Sequence, residues 1–220
     1  RTALLRAVDD RKDQSYFLWG VPTAVLDRML FPVGELTKPQ VRDRARALEL
    51  GTAEKPESQE ICFVPTNDYT DFLETRLGPD HPALRPGPLV SRDGEPLGSH
   101  DGYARYTVGQ RKGLGGGFDR RLYVIETRPD TNEVVVGTAP DLDRRDVTLG
   151  DLNWLGEPPA VGDRVTVRLR HRAPLVPATV TRRDHATLEL RLARPRRAVT
   201  PGQSGAVYSG EALLGGGRIR

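Results

Sequence analysis

The single cysteine among 220 residues sits in "EKPESQEICFVP", residues 54–65. A thiol in thiolate form can attack an electrophile or carry a second sulfur. Cys62 lies between Ile61 and Phe63 but follows Ser58, Gln59 and Glu60. Two readings stand: free cysteine commonly packs as a small buried hydrophobe, whereas a partly exposed loop thiol with polar neighbours suits thiolate chemistry. Arginine is the other chemically loaded side chain. In "RVTVRLRHR" strand alternation puts Val165, Val167, Leu169 and His171 on one face and Thr166, Arg168, Arg170 and Arg172 on the other. Arginines two apart on a strand stand about 6.6 Å apart, near the spacing of successive phosphates, and guanidinium binds phosphate in a bidentate way.

Charge is unevenly spread. Residues 160–204 hold ten basic against three acidic side chains, residues 61–159 hold 11 against 16, and residues 1–60 balance at ten each. With Arg182, Arg183, Arg194, Arg196 and Arg197 added to the stripe, RNA or DNA is expected on the C-terminal third. A solvated outer barrel face gives the same pattern. The glycine-rich "GQRKGLGGG", residues 109–117, lacks the G-x-x-x-x-G-K-[ST] spacing of a nucleotide loop. It reads as a tight β connection, with Arg111 and Lys112 as phosphate contacts in the alternative. His81, His100, His171 and His185 have no metal-ligand spacing and read as structural or surface groups.

One cysteine excludes an internal disulfide framework and a cysteine-based zinc site, so nothing requires an oxidising compartment. No apolar run approaches the roughly 20 residues of a membrane helix, and no signal-peptide plan opens the chain. The expectation is a cytoplasmic protein with no membrane partner. The first residue is Arg1 and the only methionine is Met29, which reads as a piece of a longer protein.

Three helical patterns precede residue 78. "LTKPQVRDRARALELG" has Thr37 as cap, Gln40 completing a capping box, Gly51 as its end, and Val41, Ala45 and Leu48 on one face. "VPTAVLDRML" and "DYTDFLETRL" are shorter. Beyond residue 79 the pattern turns to alternating runs, "LYVIETR", "NEVVVGT", "RVTVRLRHR", "PATVTRR" and "ATLELRL", separated by turns such as "RDGEP" and "YSGEA". These suit small antiparallel barrels, divided near "GDLNWLGEPPAVGD".

The motifs "KDQSYFLWG", "LFPVGELTKPQVRDRA", "ESQEICFVP", "DGEPLGSHDGYARYTVGQRKGLG" and "AVTPGQSGAVYSGEALLGGG" occur in one order over nearly the whole chain. Together they resemble the bacterial tRNA-specific 2-thiouridylases. That resemblance implies an α+β chain: a helical remainder of a Rossmann-like ATP-pyrophosphatase domain over 1–78, a central β domain over 79–148 and a tRNA-binding β-barrel over 149–220. It implies an enzyme that uses ATP to adenylate the C2 oxygen of the wobble uridine in Lys, Glu and Gln tRNAs. A cysteine persulfide then delivers sulfur, displacing AMP. Cys62 matches the family's second cysteine and would carry the persulfide, loaded by a donor such as a cysteine desulfurase or a sulfur relay protein. The family's S-G-G-x-D-S nucleotide loop and its first catalytic cysteine have no counterpart in these 220 residues, so ATP binding is expected outside them. Lys12, Asp13 and Gln14 match a tRNA-contacting K-D-Q motif. Arg170 with His171, and Gln203, match barrel contacts; His171 stands where the family usually has tyrosine, and an imidazole can still stack on a base or sugar. Two other readings compete, a non-catalytic RNA-binding β-barrel module and a single-cysteine sulfur carrier.

Overall fold

The computed structural model describes residues 3–55, 69–197 and 199–220; Cys62 lies outside the described residues. The chain forms two compact units, residues 1–56 with 144–220, and residues 57–143.

The larger unit is a closed barrel with the N-terminal segment fastened to its outside. β6 (Asp143–Trp154), β7 (Arg164–Arg168), β8 (Val176–Arg183), β9 (Leu188–Arg197), β10 (Ser204–Ser209) and β11 (Ala212–Ile219) follow the order β11-β10-β7-β8-β9-β6, and β6 pairs back onto β11. Period-two alternation creates the wall: Val176, Ala178 and Val180 of β8 and Leu188, Leu190 and Leu192 of β9 are buried, whereas Pro177, Thr179 and Arg191 between them are exposed. The inward residues meet Val147, Leu149, Val165, Val167, Val207 and Ile219 in one core. Closure gives each central strand two partners and removes the open sheet edge.

A second apolar cluster lies on the outside of the barrel. β1 (Leu4–Leu5) pairs antiparallel with β11, matching Leu4 with Leu213. α1 (Ser15–Leu18) and α2 (Thr23–Leu26) follow, and Leu4, Tyr16, Trp19 and Leu26 pack on Leu155, Ala206, Tyr208 and Leu213. β10 is therefore covered on both faces, with Val207 in the inner core and Ala206 and Tyr208 in the outer cluster. The glycine run in β11 permits this approach. A Cβ on Gly216 would run into the Gly205 carbonyl oxygen and come within 3.0 Å of the Trp19 ring. The Asn153 amide then ties the segment down, donating to the carbonyl oxygens of Trp19 at 2.5 Å and Val21 at 3.0 Å.

α3 (Lys38–Ala47) starts where its sequence predicts. Thr37 is the cap, and the Gln40 Oε1 accepts from the Thr37 backbone N–H at 2.8 Å. It ends four residues before Gly51, because Glu49 already takes the left-handed conformation at φ 52°. Its expected apolar face is only partly covered: Val41 and Ala45 are half-buried and Leu48 is exposed.

The smaller unit is a four-stranded sheet in the order β3-β2-β5-β4, formed by β2 (Gly87–Ser91), β3 (Pro96–His100), β4 (Tyr123–Arg128) and β5 (Glu133–Gly137). Leu89, Leu114, Leu122, Val124, Val134 and Val136 form its core. The expectation of an antiparallel sheet fails at its centre, where β2 and β5 run parallel. The long connection through residues 101–122 carries the chain past the sheet before β4 pairs with β5. "GQRKGLGGG" lies in this connection as a glycine-rich link: Val124 donates to the Gln110 carbonyl at 2.9 Å, Gly109 donates to the Val124 carbonyl at 2.8 Å, and Leu114 is buried.

Two boundaries and the helix content differ from those expected. α4 (Tyr69–Leu77) belongs with the smaller unit, not with residues 1–56: the Tyr69 hydroxyl donates to the Arg105 carbonyl at 2.7 Å and Glu74 pairs with Arg105 at 2.5 Å. The division expected after residue 148 falls inside β6, which is one continuous strand; the units part at residues 143 and 144. Residues 1–55 are also less helical than read, since their three helices span four, four and ten residues and β1 is a strand. Among the described residues no helix is long and apolar enough to cross a membrane.

Candidate nucleic-acid interface

The site is organised around a buried carboxylate. Asp13, 4% exposed, accepts from the Ser15 N–H and hydroxyl, both at 3.0 Å, and from Arg168 Nη1 at 2.7 Å. The Ala7 N–H adds a longer bond at 3.3 Å. Burial alone would push this carboxyl up. The hydrogen bonds from Ser15 and Ala7 and the Arg168 charge outweigh it and hold the group below the usual carboxylate value. The Ser15 hydroxyl also bonds the Tyr208 hydroxyl at 3.0 Å, and the Arg168 guanidinium lies 5.9 Å from the Tyr208 ring centroid. This network fixes the start of α1 against β7 and β10.

Consecutive α1 residues then face two grooves. Tyr16 and Phe17 line a groove of about 550 Å³ with Trp19, Asp151, Gln203 and Arg218, whereas Ser15 and Leu18 line a larger one of about 920 Å³ that also borders Lys12, Asp13 and Gln14. In the smaller groove Tyr16 is buried, which raises its hydroxyl above the ordinary value, and it donates to the Ser204 carbonyl at 3.0 Å. The charges of Arg218 and Arg170 both reach this hydroxyl. The Arg218 guanidinium sits 5.7 Å from the Trp19 ring centroid and donates to the Gly202 carbonyl and the Ser204 hydroxyl, each at 3.3 Å. The His171 ring lies 4.6 Å from Phe17 and 6.0 Å from Tyr16. Burial, then the charges of Arg172 and Arg168, lower the His171 pKa against a smaller opposing effect of Asp13, so the ring is neutral at neutral pH.

The structure separates the sequence-matched residues. Gln203 lines the smaller groove, the half-buried His171 ring lies against its Phe17 and Tyr16, and Arg170 is near enough for its charge to act on the Tyr16 hydroxyl; Arg170 and Gln203 are exposed. Lys12 and Gln14 stand at the other groove, half-buried and exposed respectively. Asp13 is not presented to a partner: its carboxylate is spent on the internal network above. Nor does the arginine stripe exist. β7 ends at Arg168, which is buried because residues 13–16 cover the outer face of that strand, and Arg172 lies in a turn at φ 61°. Arg170 and Arg172 are both exposed, but they lie beyond the strand end at either side of a turn in which the Ala173 N–H donates to the Arg170 carbonyl. Phe17, Trp19 and Arg218 were missed. The signal was present in "SYFLWG", three aromatic residues within four positions on one short helical turn, which cannot all face one core.

Three consecutive family models match the chain: a tRNA methyl transferase HUP domain over residues 1–66, a tRNA methyl transferase PRC-barrel domain over 70–138 and an aminomethyltransferase beta-barrel domain over 144–219. The class is thus a HUP segment followed by two barrel-type modules. The chain is 48% identical to a tRNA-specific 2-thiouridylase MnmA of Solibacter usitatus, over 100% of this chain and 61% of that protein. Relatives of the same description from Carboxydothermus hydrogenoformans and Methylobacterium radiotolerans are 45% and 48% identical, over 98% and 99% of this chain and 59% and 58% of their own lengths. The chain belongs to the tRNA-specific 2-thiouridylase family, and it spans about three-fifths of the length of these relatives.

Proposed function

We propose that this chain serves in the ATP-dependent 2-thiolation of the wobble uridine of tRNA, as a cytoplasmic enzyme, with the barrel unit holding the RNA. The observation that carries this reading is the identity of 45–48% to 2-thiouridylases along essentially the whole chain. The exposed Arg170 and Gln203 beside His171 supply the phosphate and amide contacts such a role needs. Cys62 carries the persulfide, whose terminal sulfur attacks the adenylated C2 carbon as AMP leaves; reduction by a partner thiol completes the release. ATP binding and adenylation belong to the part of the relatives' length that this chain does not span. Lys, Glu and Gln tRNAs are the substrates, and a cysteine desulfurase or relay protein is the donor.

The test is Cys62→Ser in the full-length enzyme. The variant is expected to keep tRNA-dependent AMP formation while losing thiolated product, read by nucleoside analysis of the tRNA. Normal 2-thiouridine in that variant overturns the assignment. The closed β-barrel of the larger unit favours a second reading, a non-catalytic RNA-binding β-barrel module. It requires tRNA binding by the 220 residues with no sulfur gained at Cys62 when a donor is supplied.

A further inference from the structure

The contacts proposed for tRNA leave the most open aromatic ring of the smaller groove unused. Phe17 is 54% exposed although its neighbour Tyr16 is buried at 2%. A phenyl ring left half in water forgoes part of the gain of burial, yet this one is held in place. It meets the Tyr16 ring edge-on at 5.1 Å and 75°, and the His171 ring at 4.6 Å and a 38° tilt. Tyr16 is itself anchored on Ser204, and α1 is anchored through Asp13. The ring is thus ordered from below and from one side, with its remaining face open.

The surroundings state what chemistry fits that face. The rim is cationic, not apolar: Arg170 and Arg218 both act on the Tyr16 hydroxyl, and Arg172 acts on His171. Asp151, the acidic group of the groove, pairs with Arg220 at 3.1 Å. Arg218 is held over Trp19 and by Gly202 and Ser204, so its charge has a fixed position. Gln203 adds an exposed carboxamide with both donor and acceptor. A flat ring platform flanked by fixed cations and one amide matches an unpaired nucleotide, whose base stacks while its phosphates meet arginine. A protein partner would be met by an apolar centre with fewer charges.

We propose that Phe17, backed by His171, is a stacking platform for one unpaired base of the bound RNA, with Arg218 and Arg170 holding the flanking phosphates and Gln203 meeting the base edge. This rests on the RNA-facing reading of the barrel unit and adds to it a base contact on α1. Its scale follows from stacking, where losing the aromatic costs roughly 5- to 150-fold in affinity per base.

The experiment compares two single-stranded probes on the 220-residue chain by fluorescence anisotropy, an oligouridylate and an abasic ribose-phosphate oligomer of equal length. The wild type is expected to prefer the oligouridylate. Phe17→Ala should lose that preference by roughly 5- to 150-fold, with affinity for the abasic probe and the salt slope unchanged, and Phe17→Trp should restore it. Arg218→Ala should weaken both probes and lower the salt slope by about one. The inference is overturned if Phe17→Ala binds the oligouridylate as wild type does, if it weakens both probes equally, or if the wild type does not discriminate between them. It is also overturned if Phe17→Ala abolishes self-association and leaves both probes unaffected. Failure of the wild type to bind unmodified tRNA removes the RNA-facing reading itself, whereas tRNA binding that survives with no effect of Phe17→Ala removes the platform alone.

Discussion

Asp13 in the barrel unit and His100 in the smaller unit are both almost fully buried, at 4% and 2% exposure, and both join distant stretches of chain. They do it with opposite electrostatics. Asp13 is charged and has a charged partner, Arg168, with backbone and hydroxyl donors around it. His100 is neutral: its Nδ1 accepts the Gly102 N–H at 3.0 Å, which leaves Nε2 to donate to the Asn132 carbonyl at 3.0 Å. A buried ion pair fails abruptly when one partner is removed, because the other charge is stranded. A neutral double acceptor-donor fails by leaving two backbone groups unpaired, a smaller loss. The barrel unit therefore has the stiffer but more brittle lock, and that lock sets the position of α1 and both grooves.

The largest expected effect comes from stranding the charge. Asp13→Ala should cost about 3–5 kcal/mol, since Arg168 remains buried at 5% exposure without its carboxylate. Urea unfolding followed through Trp19 and Trp154 fluorescence measures it, and a loss below about 1 kcal/mol would mean that the pair is not the lock.

Next in size is Gly102→Ala in the smaller unit. Gly102 sits at φ 117°, and a Cβ there would stand 2.7 Å from the Leu84 Cα and 2.8 Å from its carbonyl carbon. The conformation alone costs roughly 1–3 kcal/mol for a residue with a side chain, and the backbone contact adds to it. Amide hydrogen exchange should report faster opening of β2 and β5 with β8 and β9 unaffected. Equal acceleration in both units would show that they unfold as one.

The smallest effect depends on pH. Burial lowers the His100 pKa against the pull of the Asn132 carbonyl and Asp101, so the unfolded chain takes up a proton more readily than the folded one. Its contribution is complete above the ordinary histidine value of about 6.5 and is lost as pH falls through that value. Asp13, with a lowered carboxyl pKa, contributes fully above the ordinary value of about 3.9 and loses it only in stronger acid. Between about pH 7.5 and pH 5.5 the protection of β2 and β5 amides should therefore drop more than that of β8 and β9. His171 also has a lowered pKa but is half-buried, so its share in the barrel unit is smaller. In His100→Phe the pH difference in the smaller unit should shrink, with a loss of stability at every pH because the Gly102 N–H and the Asn132 carbonyl both lose their partner. An unchanged pH difference would place the sensitivity elsewhere.

Local physics was legible along the chain because it needs only neighbours. Thr37 with Gln40 marks the start of α3, short β-branched runs mark β4 and β5, alternation marks β8 and β9, and the mismatch of "GQRKGLGGG" to a nucleotide loop marks it as a link. The order of motifs was enough to place the chain in its family. Other properties depended on contacts between residues far apart in the sequence. Alternation put Arg168 on an outer face, but only the tertiary structure lays residues 13–16 over that face and turns two apparent RNA contacts, Asp13 and Arg168, into each other's partners. The parallel β2–β5 pairing and the unit boundary inside the expected central domain were likewise settled by distant pairing, not by local pattern. The same holds for the groove: a short helix exposes Phe17 and buries Tyr16 because β10 and β11 lie beneath one side of it, and no period in the sequence encodes which side that is.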